Sequence, residues 1–183
     1  KEGVRVQVLS SFIDENAPSA DTIPGTMIVT DEELENAQVE RQLITGIAAD
    51  KNEAKITLTR VPDRPGAVSH IFAPLAESNI NVDMIIQNIS QAALTDLSFT
   101  VPRADLKKAV PLIQAVAKDI EAKSVSVTEA IAKVSLIGVG MRSHSGVAAK
   151  MFEVLSREGV NIMMISTSEI KISCVIDEKY LEL

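Results

Sequence analysis

Tryptophan is absent from this 183-residue sequence, tyrosine and cysteine occur once each, and acidic residues outweigh basic ones to give a formal net charge of −7. The acidic balance and the scarcity of aromatic rings argue against a nucleic-acid partner, which needs a basic surface and stacking platforms. A single cysteine excludes an internal disulfide framework and fits a reducing compartment, so we expect a cytoplasmic protein. No apolar run is long enough to cross a bilayer, and we expect no membrane partner.

Motifs for catalysis and metal binding are also missing. The two histidines, His70 and His144, stand far apart, and there is no Cys/His metal spacing. A Gly-rich phosphate loop with lysine and a G-x-S-x-G elbow are absent too. We therefore predict no catalytic residue, no metal site and no cofactor in this chain, which binds rather than transforms.

The sequence does contain an internal repeat. Residues 64–89 align without a gap with residues 144–169, and 54–58 align with 132–136. The identical pairs include Gly66/Gly146, Phe72/Phe152, Leu75/Leu155, Asn81/Asn161, Met84/Met164 and Ile85/Ile165. A repeat of this length is a small domain rather than a solenoid unit, so the sequence predicts two domains in tandem. Two copies imply two equivalent sites, or one surface between the copies.

Hydrophobic periodicity predicts the same order of elements in both copies. In the first copy these are a strand at 54–61, a helix with Val68, Ile71, Phe72 and Leu75 on one face, strands at 79–89 and 94–101, a helix at 104–119 and a strand at 124–128. Pro111 should kink or shorten the second helix. The order βαββαβ predicts an α+β class, with two ferredoxin-like domains whose antiparallel sheets carry helices on one face.

The second copy repeats the first half of this order and then reaches Leu183, where only the first turns of its second helix fit. Either the chain is truncated, or a segment from elsewhere completes the sheet. Residues 43–49, a strand-like run joined to the first copy by a tight turn, are the candidate, because an added edge strand would cover an exposed one. The expected division is 1–42, 43–129 and an incomplete 130–183, with 43–49 the candidate strand of the second domain.

The turn after the first strand of each copy is the candidate binding element. Asp63-Arg64-Pro65-Gly66 opens a helix, whose outward backbone N–H groups attract anions such as an amino-acid carboxylate. Residues 143–146 offer the same arrangement. If the strand beginning at Asn81 runs beside the first strand, Asp83 lies near that helix start and could bind a ligand ammonium group. In a single copy, these residues could simply form a capped turn and a solvated strand without binding a ligand. Polar residues at the equivalent places of the other copy weigh against that interpretation.

The motifs resemble the paired ACT domains in the regulatory part of bacterial aspartate kinase. The resemblance covers about Leu43 to Leu183. It rests on the Asp63-to-Gly66 turn and on residues 79–90, 133–141, 143–147 and 160–173. Residues 4–12 and 24–26 resemble the end of that enzyme's catalytic domain, so 1–42 are expected to be its tail end and a linker.

The resemblance implies a sensor through which lysine, threonine or both control the phosphorylation of aspartate by ATP, at the entry to lysine, threonine and methionine synthesis. It implies a homodimer through the ACT domains and, as partner, a catalytic domain or alpha subunit. ATP belongs to that absent part, so this chain should be inactive alone. Carried over by motif, the first effector site is Asp63, Arg64, Pro65, Gly66, Ala67, Val68, Asn81, Val82, Asp83 and Gln87. The second is Val147, Ala148, Asn161, Ile162, Ser168 and Glu169.

Two alternatives remain open from the sequence. One is a tandem ACT sensor of another amino-acid-metabolism enzyme or regulator, against which residues 87–90 and 166–170 favour aspartate kinase. The other is a dimerisation module without a ligand. We also expect the chain to self-associate. Side-by-side pairing of sheet edges from two copies would place Ile85, Ile165 and Ile172 near the dimer interface.

Overall fold

The computed structural model describes residues 6–8, 26–28, 44–90, 93–138 and 146–181. The chain divides into two units, Lys1–Arg41 and Gln42–Leu183. In the first unit, β1 (Val6–Val8) and β2 (Thr26–Ile28) form an antiparallel pair. The second unit contains both copies of the repeat.

The first copy forms a four-stranded antiparallel sheet with two helices. Its elements are β4 (Glu53–Pro62), α1 (Ala67–Glu77), β5 (Ile85–Ser90), β6 (Leu94–Pro102), α2 (Leu106–Asp119) and β7 (Ser124–Thr128). The spatial order of the strands is β5-β6-β4-β7. The predicted order βαββαβ is therefore confirmed for this copy.

The core of the first copy lies between its sheet and its helices. Alternate β4 residues such as Ile56 and Leu58 are fully buried, and they pack with Ile71 of α1 and Ile113 of α2. Burying one such aliphatic side chain stabilises the fold by about 1.5–3 kcal/mol. The helix α2 continues without interruption through Pro111, which lies on its exposed face, so the expected shortening of this helix was wrong.

The second copy forms the other four-stranded sheet. Its elements are β8 (Ile131–Ile137), α3 (Val147–Arg157), β9 (Ile162–Thr167) and β10 (Lys171–Asp177). The strand β3 (Gly46–Asp50), which precedes the first copy, pairs antiparallel with β8 and gives the order β3-β8-β10-β9. This is the position expected for residues 43–49. In the described part of 177–183, where a helix was expected to begin, there is one 3-10 turn, Glu178–Tyr180.

The two sheets are connected by the chain itself and by side-chain contacts. Residues 51–52 connect β3 of one sheet to β4 of the other. Met84 from the first copy packs in one buried cluster with Ile131, Met164 and Val175 from the second. The Arg103 side chain crosses the same junction, where its Nη2 donates to Glu178 Oε2 (2.9 Å) and to the Glu129 carbonyl (2.6 Å). The copies are therefore coupled by apolar and charged contacts.

Candidate functional site

The turn between β4 and α1 leaves a helix start open. Gly66, immediately before α1, has φ +90°, a left-handed conformation that strains residues with a Cβ. The turn is fixed by Asp63 N–H donating to the Ala93 carbonyl (2.8 Å) and Ala67 N–H donating to the Arg64 carbonyl (3.2 Å). In the part of the chain that the structure describes, no side chain caps α1. The Ala67 N–H is occupied by its bond to the Arg64 carbonyl, so the N–H groups of the next residues in the first turn of α1 are those that can donate to an external anion.

A cleft of about 430 Å³ lies beside this helix start. It is lined by Arg64, Pro65, Gly66, Ala67, His70, Asp119 and Ile120. The guanidinium of Arg64 and the helix start favour an anion there, whereas Asp119 at the end of α2 favours a cation. Sequence reasoning missed Asp119. The predicted fold could have indicated it, because α1 and α2 cover the same face of the sheet and the end of α2 can therefore lie near the start of α1.

The second copy has a matching helix start. The helix α3 begins at Val147 after Gly146, whose φ is +124°, and no side chain of the described residues caps it. A groove of about 570 Å³ runs beside Val147 and is lined mainly by apolar side chains. The predicted turn residues 143–145 lie outside the described residues. Both copies therefore place a positive-φ glycine immediately before the helix.

Asp83 lies at the opposite end of the first sheet from this turn. The expectation that a strand beginning at Asn81 runs beside the first strand was wrong. That strand begins only at Ile85, and it pairs with β6, which separates it from β4. Asp83 N–H donates to the Thr100 carbonyl (3.2 Å), level with the start of β4, whereas the turn follows the end of β4. About 25 Å of strand therefore separate Asp83 from the turn.

The predicted second site is divided in the same way. Ser168 lies in the turn between β9 and β10, where its N–H donates to the Lys171 carbonyl (2.7 Å). Lys171 pairs with Ile137, the last residue of β8, so this turn is at the sheet end that leads to α3. Ile162, next to the exposed Asn161, is at the other end. Neither predicted set comes together within one chain.

Lys133 of β8 binds carboxylates from the first copy. Its Nζ donates to Glu53 Oε1 and to Asp83 Oδ2, and it lies 3.9 Å from Asp50 Oδ2. The side chains of Lys133 and Glu53 are only 14% and 10% exposed, whereas that of Asp83 is 47% exposed. Burial alone would lower the Lys133 pKa, but the bonds to Asp83 and Glu53 outweigh it and hold that pKa above its ordinary value. The same bond from Lys133 holds the Asp83 pKa below its ordinary value.

Comparison with known proteins identifies both copies. Two family models, both described as ACT domain, match residues 55–120 and 134–183, respectively. The aspartate kinase of Pseudomonas fluorescens SBW25 is 49% identical over 183 residues, which are all of this chain and 42% of that protein. The regulatory subunit of aspartate kinase from Thermus thermophilus, solved in its ligand-free form, is 39% identical with a TM-score of 0.73. That match covers 77% of this chain and 93% of the subunit.

The chain belongs to the aspartate kinase family, as its tandem ACT regulatory region. A crystal structure of aspartokinase alpha and beta subunits agrees, with 52% identity, a TM-score of 0.71 and coverage of 76% of this chain and 91% of that one. The aspartokinase of Helicobacter pylori 26695 is 46% identical over 159 residues. The chain spans 42% of the length of its Pseudomonas relatives.

The predicted effector residues are mostly accessible on the ACT domains. Gln87 lies exposed in the middle of the edge strand β5, opposite Leu97 of β6. Glu169 is exposed, and Val147 and Ala148 are half-buried at the start of α3.

In the described ranges, no group of three or more His, Cys, Asp or Glu side chains could hold a metal ion. None of the described helices is long and apolar enough to span a membrane.

Lys133 and Glu53, like Asp119, are polar residues of the ACT pair that sequence reasoning missed. Lys133 occupies the position of Lys55 in the repeat, and both look like solvated residues of an alternating strand. Only the tertiary fold brings Lys133 against carboxylates that are distant in sequence. The pairing of β8 with β3, which places Asp50 opposite Lys133, likewise lies outside the repeat and is visible only in the structure.

Proposed function

We propose that this chain is the amino-acid-binding module through which lysine, threonine or both exert feedback control on an aspartate kinase. The kinase reaction, in the cytoplasm, is the phosphorylation of aspartate by ATP at the first step of lysine, threonine and methionine biosynthesis. Family membership supports the regulatory role. The two helix starts, each of which follows a positive-φ glycine, support a ligand with a carboxylate, and Asp83 supports one that also carries an ammonium group.

The carboxylate end of the effector binds at the helix starts. In the first ACT domain, the backbone N–H groups of the first helical turn and the Arg64 guanidinium donate to it, and Asp63, Pro65, Ala67 and Val68 shape the site. In the second domain, the corresponding positions are Val147 and Ala148. The left-handed glycines bring the backbone close to the ligand.

The ammonium end of the effector binds in a second copy of the chain. Asn81, Val82 and Asp83 stand at the end of the sheet remote from the turn, and β5 is an edge strand. When two edge strands pair antiparallel about a two-fold axis, the start of one lies beside the end of the other. Asp83 of one copy thereby approaches the helix start of another. This division of the predicted residues between two sheet ends is the observation that carries the proposal.

The second ACT domain follows the same rule. Asn161 and Ile162 at the start of the edge strand β9 approach a helix start in another copy, while Ser168 and Glu169 lie at the near end of the sheet. Ile85 of β5 and Ile165 of β9 are 51% and 41% exposed, respectively, and a homodimer through these edges would bury them. Gln87, in the middle of β5, contacts the side chain of the effector.

The partner that responds is the catalytic domain, either in the same protein or as a separate alpha subunit. ATP and aspartate bind there, so the module needs no catalytic residue, metal or cofactor of its own. Its ligands are the effector amino acids. Residues 1–42 would form the tail of that catalytic domain and the linker to the ACT pair.

Calorimetric titration with lysine and threonine, separately and together, tests the proposal. We expect saturable binding of at least one of them, weakened about tenfold or more in Arg64→Ala, because a charge-assisted hydrogen bond contributes about 1.5–3 kcal/mol. Arg157→Ala is the matched control, since Arg157 is an exposed arginine whose described ion pair is with the neighbouring Glu158. A stable dimer that binds neither amino acid would leave only the dimerisation module.

A further inference from the structure

Asp83, which receives the effector ammonium in the proposed function, is already bound by an ammonium of the chain itself. Lys133 Nζ donates to Asp83 Oδ2 and to Glu53 Oε1 in the same cluster. Lys133 belongs to the second ACT domain, whereas both carboxylates belong to the first. An effector ammonium and Lys133 therefore require the same carboxylate.

The cleft beside this cluster has room and charge for a second cation. Its volume is about 290 Å³, close to the lower end of the range for small-molecule sites, and it is lined by Glu53, Asn81, Val82, Asp83, Val101 and Pro102. Glu53 is 8% exposed, and its Oε2 has no hydrogen-bond partner among the described residues. Three carboxylates, counting Asp50, face the ammonium of Lys133, and Lys171 also attracts Asp83 at longer range. The cluster is therefore left with excess negative charge.

We propose that Lys133 is an internal competitor of the effector, which holds Asp83 in the ligand-free chain and releases it to the ammonium group of a bound amino acid. This inference rests on the proposed function. Lys133 thereby also links effector binding at the first domain to the position of a strand in the second.

The exposure of the two carboxylates decides which contact is exchanged. Glu53 is nearly buried, so losing its cation would leave an uncompensated charge away from water, which is strongly unfavourable. Asp83 is nearly half exposed, and water can replace part of the lost bond. Lys133 can therefore release Asp83 while keeping Glu53. The free-energy cost that this exchange adds to effector binding is therefore that of one charge-assisted hydrogen bond, between Lys133 and Asp83, and not that of the whole cluster.

The test is calorimetric titration of the full chain carrying the double substitution Glu53→Gln/Lys133→Met. This change removes one negative and one positive charge, so the net charge of the cluster is preserved while the competitor is lost. We expect the affinity for the effector, lysine or threonine, to rise about ten- to a hundredfold. The matched control is Arg157→Met/Glu158→Gln, which removes an exposed charge pair on α3 and should leave the affinity unchanged.

Analogues that lack one ammonium group separate competition from a general opening of the cleft. Threonine is compared with 3-hydroxybutanoate, and lysine with 6-aminohexanoate and norleucine. The double variant should bind the amino acid more tightly, with no gain for the analogue lacking the ammonium that contacts Asp83. Equal gains for every analogue, unchanged affinity or weaker affinity would each overturn the competitor role. If neither the wild-type chain nor the variant binds any amino acid, the proposed function itself fails.

A measurement on the unsubstituted chain covers the case in which the double variant does not fold. The side-chain ammonium signal of Lys133, assigned by NMR with Lys133→Arg, should shift when the effector saturates the chain. The signal of Lys150, which pairs with Glu153 on the exposed face of α3, should not shift. A Lys133 signal that stays in place while the effector is bound would contradict the inference.

Discussion

The ammonium of Lys133 in the second ACT domain donates to the carboxylate of Asp83 in the first. The same ammonium binds Glu53, the first residue of β4, immediately after the turn that connects the two sheets. The contact joins two domains that also share the cluster around Met84 and Val175. The junction between the ACT domains therefore contains one of the residues proposed to bind the effector.

Removal of the Lys133 ammonium should destabilise the unit Gln42–Leu183. We expect Lys133→Ala to lower the free energy of unfolding by about 3 kcal/mol, at the lower end of the range for breaking a buried pair, because Glu53 is left without its cation. Lys55→Ala, at the corresponding position of the repeat, should change it by less than about 0.5 kcal/mol. Urea unfolding of the three proteins measures both values. Equal stability of the two variants would show that the Lys133 contacts contribute little.

The pH dependence of stability should report the bond between Asp83 and Lys133. Because Lys133 holds the Asp83 pKa below its ordinary value of 3.8, the contribution of Asp83 is present above that value and is lost as the pH falls through the lower folded pKa. The Lys133 pKa is raised above 10.5, so its contribution is fully present below 10.5 and is lost as the pH rises through the folded pKa.

The measurement is the urea midpoint between pH 2 and pH 7 for the wild-type chain and for Asp83→Asn. The wild-type midpoint should fall more steeply below about pH 4 than that of the variant, whose residue 83 does not titrate. Parallel curves would mean that Asp83 is bound equally well in both of its protonation states.

Self-association should depend on the edge strands that follow α1 and α3. Ile85→Asp places a charge on the exposed edge strand β5, and we expect it to shift the chain from dimer to monomer in light scattering at micromolar concentration. Val127→Asp, on the opposite edge strand β7, is the control and should remain dimeric. A wild-type chain that is monomeric with and without effector would rule out sites formed between copies.

Ile172, which was expected near the dimer interface, is instead 4% exposed and lies in the core, so that expectation was wrong.

Gln87 provides the test of the effector's side-chain contact. Gln87→Ala should weaken the binding of at least one effector about tenfold, since one polar contact to a charged or polar group is lost. Gln114→Ala, an exposed glutamine on α2, should bind as the wild type does. Calorimetry on the same batch of chain compares the two. If Gln87→Ala retains full affinity for both amino acids, the ligand does not reach the middle of β5.

The limits of sequence reasoning can be seen by comparing α1 with Asp83. The spacing of Ile71 and Leu75 predicted the buried face of α1 correctly, because helical periodicity is a local property of the chain. The position of Asp83 depends on which strand pairs with β4, and alternation of side chains within a strand contains no information on its neighbours. The ion pair of Lys133 with Glu53 depends on the packing of two domains, which no local pattern records.

Coupling between the two ACT domains is the central claim, and threonine affinity with and without saturating lysine tests it most directly. If one amino acid orders a helix start and releases Lys133 at the junction, part of the ordering cost of the second is already met. A typical coupling of about 1–3 kcal/mol predicts that lysine tightens threonine binding roughly five- to 150-fold, and that threonine tightens lysine binding by the same factor. Identical affinities in the presence and absence of the other amino acid, with both shown to bind, would contradict the account.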